Sequence, residues 1–205
     1  MKKIITLAAI AGIAISVVAT SQNSNQKADT YKVNTAASTF RWDAKKVTGA
    51  HWGYVKFSDG FITVNGKTAT GGTFNVDMNT IDCQDLQGEY NGKLIGHLKS
   101  DDFFSVANYK TATLKITSLS PIKDAKTGSP NYNVVADLTI KGKTAPVKFD
   151  AQIFTAGNKV IANATFDIDR TVYDIKYGSG KFFEGLGDKA IDDTFKVTVR
   201  VEASK

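Results

Sequence analysis

Beyond residue 30 the chain alternates apolar and polar side chains in short runs separated by turn residues. Thr73-Phe74-Asn75-Val76-Asp77-Met78 puts Phe74, Val76 and Met78 on one face and polar groups on the other. The run from Thr194 to Ala203 keeps the same period, and Thr113–Thr117 and Lys148–Ile153 repeat it. A period of two predicts strands with one buried and one wet face, which is an antiparallel habit. Asn65-Gly66, Lys141-Gly142-Lys143 and Ala156-Gly157-Asn158 fall between such runs and read as hairpin turns.

One segment departs from that rhythm. Between Asp85 and Leu98 the apolar positions Leu86, Tyr90, Leu94 and Leu98 recur every four residues, which predicts a short amphipathic helix. Gly88, Gly92 and Gly96 weaken it, since glycine inside a helix costs up to about 1 kcal/mol relative to alanine. No repeat, linker or second domain is visible.

Many short strands with one helical excursion predict an all-β fold, either a sandwich or a barrel. Closure removes free sheet edges, which suits a chain with no disulfide to protect it. The inward faces carry Phe40, Trp42, Val55, Phe57, Phe74, Val76, Met78, Phe149, Ile153, Phe166, Phe195 and Val197. Periodicity alone leaves open whether these close on one another as a solid core or line a hole.

Composition and the ends narrow the class. Lys2 and Lys3, an apolar run from Ile4 to Val18, and Ala19-Thr20-Ser21 read as a signal peptide over residues 1–20, implying a periplasmic or secreted protein. The rival reading is an uncleaved membrane anchor, although spanning needs roughly 20 apolar residues. Residues 21–29 read as a flexible polar lead-in, and 30–205 as one folded domain. Lys and Arg number 26 against 20 Asp and Glu, and losing Lys2 and Lys3 lowers the formal charge from +6 to +4. That surplus is spread out, with no basic, aromatic-rich window, so nucleic acid is not an expected partner. Cys83 is the only cysteine, so no disulfide forms within the chain.

Four ordered motifs give a more specific signal. His97-Leu98-Lys99-Ser100-Asp101-Asp102-Phe103-Phe104, followed by Tyr109-Lys110-Thr111-Ala112-Thr113, resembles the signature of the YceI-like family. Leu138 to Val147 resembles that family's central hairpin, Ile168 to Ile175 its late strand-to-loop motif, and Val47 to Gly53 the loop into its second strand. The resemblance spans about residues 30–203 and implies an extended, eight-stranded, lipocalin-like antiparallel barrel with a short helical insertion. It further implies an elongated apolar tunnel that binds a polyisoprenoid, an isoprenoid quinone or a fatty acyl or amide chain. The Gly-x-Trp of true lipocalins is absent, because Phe40-Arg41 precedes Trp42.

On that reading the twelve inward apolar residues line the ligand site, with His51 and Arg170 as candidate head-group contacts. Such binding needs little polar chemistry: at about 0.3 kcal/mol per heavy atom, a tail of about 30 atoms reaches about 9 kcal/mol. Arg170 has a bland alternative as a structural partner of a nearby carboxylate, and His97 as a structural hydrogen-bonding group. Lys45 and Lys46 read as solvated surface. Two distant histidines and one cysteine match no zinc spacing, and there is no Cys-x-x-Cys-His for a haem, so no metal or cofactor is expected beyond a bound lipid. Two rivals remain open: a hydrolase using Cys83, His97 and Asp101, and a solid-cored interaction protein acting through its loops. Transient membrane contact and a homodimer are the expected associations.

Overall fold

Alternating side chains fold as nine strands and one helix in a computed structural model that describes residues 27–205. The signal-peptide reading, and the lead-in as far as residue 26, lie outside the described residues. The strands are β1 (Asp29–Val33), β2 (Thr39–Lys46), β3 (Gly49–Asn65), β4 (Thr68–Asp77), β5 (Thr111–Pro121), β6 (Tyr132–Ile140), β7 (Lys143–Ala156), β8 (Lys159–Asp169) and β9 (Thr194–Ser204), with α1 (Gly88–Lys99) between β4 and β5. Asp29 already belongs to β1, so the strand begins within the expected lead-in.

Every pairing between these strands is antiparallel, and the circuit β3-β2-β9-β8-β7-β6-β5-β4 closes on itself through β3 and β4. This is the closed eight-stranded barrel with one short helix that the sequence motifs imply. The ninth strand does not widen it. β1 pairs with the far half of β3 (Lys32 opposite Phe61) and the tail of β9 (Val33 opposite Ala203), while β2 pairs with the near half of β3 and the start of β9. β1 and β2 are therefore one broken strand sharing a single place in the wall. Asn34 makes the break: its side chain accepts from the Ala36 and Ala37 N–H groups, and Ser38 Oγ donates to its carbonyl.

Short turns fix the register. Lys141 and Gly142 both sit at positive φ (49° and 70°), the geometry of a two-residue hairpin turn whose twist matches the strands. Asp77 ends β4 because its carboxylate accepts from the Asn79 N–H, which winds Met78–Thr80 into a turn of 3-10 helix. Met78 thus lies just past the strand whose alternation it continues in the sequence. The helix begins three residues later than the apolar spacing predicts. Residues 80–85 run back along β3 instead, and Gly88 at φ 57° marks the change of direction.

The two ends of the barrel differ. At one end, Tyr31, Val64, Ala69, Tyr132, Val160 and Ala203 are all buried and pack as a plug. Tyr31 Oη donates to the Gly157 carbonyl and Tyr132 Oη accepts from the Ala69 N–H, which satisfies both hydroxyls inside it. The other end carries α1, the loop 100–110 and the long β8–β9 connection 170–193.

Candidate functional site

Between the plug and the helix the barrel is hollow. A cavity of about 170 Å³ is lined by side chains from all eight strands of the closed circuit. An apolar cavity of about 150 Å³ stays dry and admits benzene, so this one is large enough for an organic ligand. On β9 the lining runs from Phe195 to Val201, a separation of six residue steps that extends about 20 Å along the strand. A modest volume over that length is a narrow channel, a shape suited to a linear tail. Its wall is hydrophobic, with Thr113, Asn163, Arg170 and Asp192 as the polar residues bordering it. A solid core would fill the space that this cavity occupies.

Phe40, Trp42, Val55, Phe57, Phe74, Val76, Met78, Phe149, Ile153, Phe166 and Phe195 all border the channel. Val197 does not. It shares the inward parity of Phe195 but is fully buried, sealed between its cross-strand partners Trp42 and Phe166. Sequence reasoning missed much of the wall that β6 contributes (Val134, Leu138, Ile140) and the small residues Ala151, Ala162 and Ala164. The alternation of Tyr132, Val134, Ala136, Leu138 and Ile140 was the available signal for β6. Leu98, Phe103, Phe104 and Ile191 complete the wall at the helix end. They lie in the helix and loops, where a period of two has no meaning.

Arg170 sits at the helix end of the channel and is 4% exposed. Its guanidinium donates through Nε to the Asp192 carbonyl (2.9 Å), through Nη1 to Ile175 (2.8 Å) and through Nη2 to Ile191 (3.0 Å). Asp193 Oδ1 is 3.7 Å from Nη2, an electrostatic neighbour beyond hydrogen-bond range. Burial pushes the Arg170 pKa down while Asp193, Asp169 and Asp192 push it up. The arginine therefore folds the 170–193 connection over the barrel mouth, with three backbone carbonyls taking its hydrogen bonds beside the expected carboxylate pair, here with Asp193. Asp169 is occupied in capping Thr171.

The histidines have separate settings. His97, in the last turn of α1, packs edge-on against Phe103 and Tyr177 with ring centroids 4.8 and 4.5 Å away, and its Nε2 is 3.6 Å from Asp102. His51 Nδ1 is 2.7 Å from Asp85 Oδ2, while Asp85 Oδ1 accepts from the Trp52 N–H and from the Cys83 thiol at 3.3 Å. Burial acts to raise the Asp85 pKa, but the Trp52, His51 and Cys83 hydrogen bonds outweigh it and hold the carboxyl at about 2. Burial raises the Cys83 pKa, so its thiol stays protonated.

The hydrolase constellation of Cys83, His97 and Asp101 is not assembled. Cys83 is gathered with His51 and Asp85, whereas Asp101 accepts from Ser105 Oγ. Lys45 and Lys46 are exposed at the end of β2, next to its turn into β3.

Comparison with known proteins agrees with this architecture. Residues 31–203 match the family described as the YceI-like domain. Protein YceI of Escherichia coli is 30% identical over 112 residues, which cover 54% of this chain and 53% of the relative. A UPF0312 protein of Pectobacterium carotovorum subsp. carotovorum is 29% identical over 131 residues, 62% of this chain and 63% of the relative. The matched stretch thus spans between half and two-thirds of these relatives. Among solved structures, BcnA of Burkholderia cenocepacia superposes with a TM-score of 0.66 at 20% identity, covering 84% of this chain and 99% of that one. A polyisoprenoid binding domain from Saccharophagus degradans gives 0.59 at 16% identity, with 85% and 97% covered. At these identities both structures speak for the fold.

Proposed function

Because this chain belongs to the YceI-like family, we propose that its barrel holds the tail of a long-chain apolar amphiphile and carries or sequesters it outside the cytoplasm. The observation that carries the proposal is the narrow channel of about 170 Å³ inside the barrel, walled by aromatic and aliphatic side chains. Each methylene moved from water into such a wall gains about 0.8 kcal/mol before ordering costs. No precise polar contact is needed for that gain. The Saccharophagus relative, a polyisoprenoid binding domain of the same fold, supports an isoprenoid as the tail.

Access is at the helix end. α1 has no buried residue, and Leu94, Ile95 and Leu98 only half-bury against the core. An element with so few buried contacts opens locally at low cost, so α1 is the natural gate. The same end carries Val47, Tyr90, Tyr109, Val172, Tyr177, Phe182 and Phe183, seven of the ten exposed large apolar side chains among the described residues. Lys176 and Lys181 lie over the Phe182 ring at 5.2 and 5.8 Å. Exposed aromatics flanked by lysines suit the surface of a lipid bilayer, where the rings enter the interface and the amines stay wet. Cargo insoluble in water is then loaded where it resides, with transient membrane contact through this end.

Chain length provides the test. Binding of isoprenoid quinones of increasing tail length is expected to tighten with each added unit and then level off once the channel is full. Affinity independent of tail length overturns the proposal.

A further inference from the structure

We propose that His51, Cys83 and Asp85 form a binding site for a zinc ion at the rim of the barrel, independent of the lipid channel. One ligand atom from each, an imidazole nitrogen, a thiol sulfur and a carboxylate oxygen, lie within 4.8 Å of one another. In a tetrahedral zinc site with Zn–S about 2.3 Å and Zn–N or Zn–O about 2.0–2.2 Å, the ligand atoms stand about 3.3–3.7 Å apart. The three donors thus need to move by about 1 Å or less to close around an ion.

The segment that presents them is already fixed. Residues 80–85 lie along β3, held by the Lys56 N–H on Thr80, the Tyr54 N–H on Asp82, the Gln84 N–H on the Trp52 carbonyl and the Trp52 N–H on Asp85. The Trp42 indole donates to the Asp82 carbonyl, and the Asn91 amide donates to the carbonyls of Cys83 and Leu86. A side chain at Gly53 has no room, because its Cβ would lie 2.1 Å from the Asp82 carbonyl oxygen. Ligands held on so rigid a support lose little freedom on binding. The Trp52 N–H engages Asp85 Oδ1 and leaves Oδ2 to the ion, the outer hydrogen bond that orients a ligating carboxylate.

Donor chemistry selects the ion class. A thiolate, an imidazole and one carboxylate suit zinc, whereas calcium and magnesium require oxygen donors. Three protein ligands leave a fourth position for water or an external ligand. The side chains of His51 and Asp85 are about one-quarter exposed, so the ion reaches the site from solvent, and Cys83 forms the buried floor. On binding, the Cys83 thiol gives up its proton, and a sulfur–zinc bond replaces its hydrogen bond to Asp85.

Zinc titration of the full chain, kept reduced, is expected to show one ion per chain, release of a proton and protection of Cys83 from a thiol-modifying reagent. Cobalt in place of zinc is expected to produce a sulfur-to-metal charge-transfer band on the unmutated protein, a readout that no folding defect can mimic. Cys83→Ser and His51→Ala are expected to weaken zinc by about 100-fold, whereas His97→Ala at the other histidine leaves it unchanged. Absence of a zinc-dependent change at Cys83, or equal binding by the Cys83→Ser and His51→Ala variants, overturns the proposal.

Discussion

Phe149 on β7 and Phe166 on β8 stack face to face, with ring centroids 4.1 Å apart and planes within 7° of each other. Both rings border the channel and neither is fully buried, although both point into the barrel. A core aromatic ordinarily touches neighbours on every side, whereas this pair meets wall on one side and void on the other. That asymmetry separates residues that hold the fold from residues that hold a ligand, and it sets what each substitution should do.

Val76 on β4 faces the same void. Val76→Trp places bulk in empty space, so its stability cost should fall at the low end of overpacking, about 1 kcal/mol. Uptake of an isoprenoid quinone should fall more than tenfold, a loss exceeding about 1.4 kcal/mol. Urea denaturation and ligand titration on the same samples check this. A variant that binds normally shows that the tail does not pass Val76.

Arg170 should behave in the opposite way. Arg170→Met leaves the carbonyls of Ile175, Ile191 and Asp192 without their donors. The expected loss is about 3 kcal/mol in denaturant unfolding. Arg170→Lys should recover only part of it, since a single ammonium cannot reproduce the planar fork. A small loss accompanied by sharply weaker ligand binding instead makes Arg170 a head-group contact.

In α1, added Cβ atoms at Gly92 and Gly96 meet nothing within 4 Å. Gly92→Ala with Gly96→Ala should therefore stabilise the helix by about 1–2 kcal/mol in total. If α1 is the gate, stopped-flow ligand release should slow as the helix stiffens. Unchanged release places the gate elsewhere.

Acid should weaken the clamp at Asp85. Its folded pKa of about 2 lies below the roughly 3.9 of an unfolded aspartate. The stabilisation is therefore fully present above about pH 4 and is lost as pH falls through 2. Asp85→Asn lacks it, so the stability gap between the two proteins should close between pH 4 and 2, measured with a chelator present. A gap that stays constant over that range contradicts the assignment.

Much of the barrel was legible because its cause is local. Alternation in Thr73–Met78 and Thr194–Ala203 sets which face is inward, and Asn65-Gly66 and Lys141-Gly142 set where strands turn. Eleven of the twelve residues read as inward lining do border the channel. Val197 shows the limit of parity, which assigns a face but cannot say whether Trp42 and Phe166 will cover a residue on it. The meeting of His51 with Asp85 depends on residues 80–85 doubling back along β3, a tertiary event with no periodic trace. Arg170 does pair with a carboxylate, Asp193, as its acidic neighbours in the sequence suggest, but the sequence hides the backbone carbonyls that take its three hydrogen bonds.

Native mass spectrometry of gently purified protein tests most directly whether the channel holds a lipid tail. The expected spectrum shows the polypeptide plus one co-purified isoprenoid or acyl molecule, or one added isoprenoid quinone per chain after incubation. A spectrum of bare polypeptide alone, unchanged by excess quinone, contradicts a lipid-holding barrel.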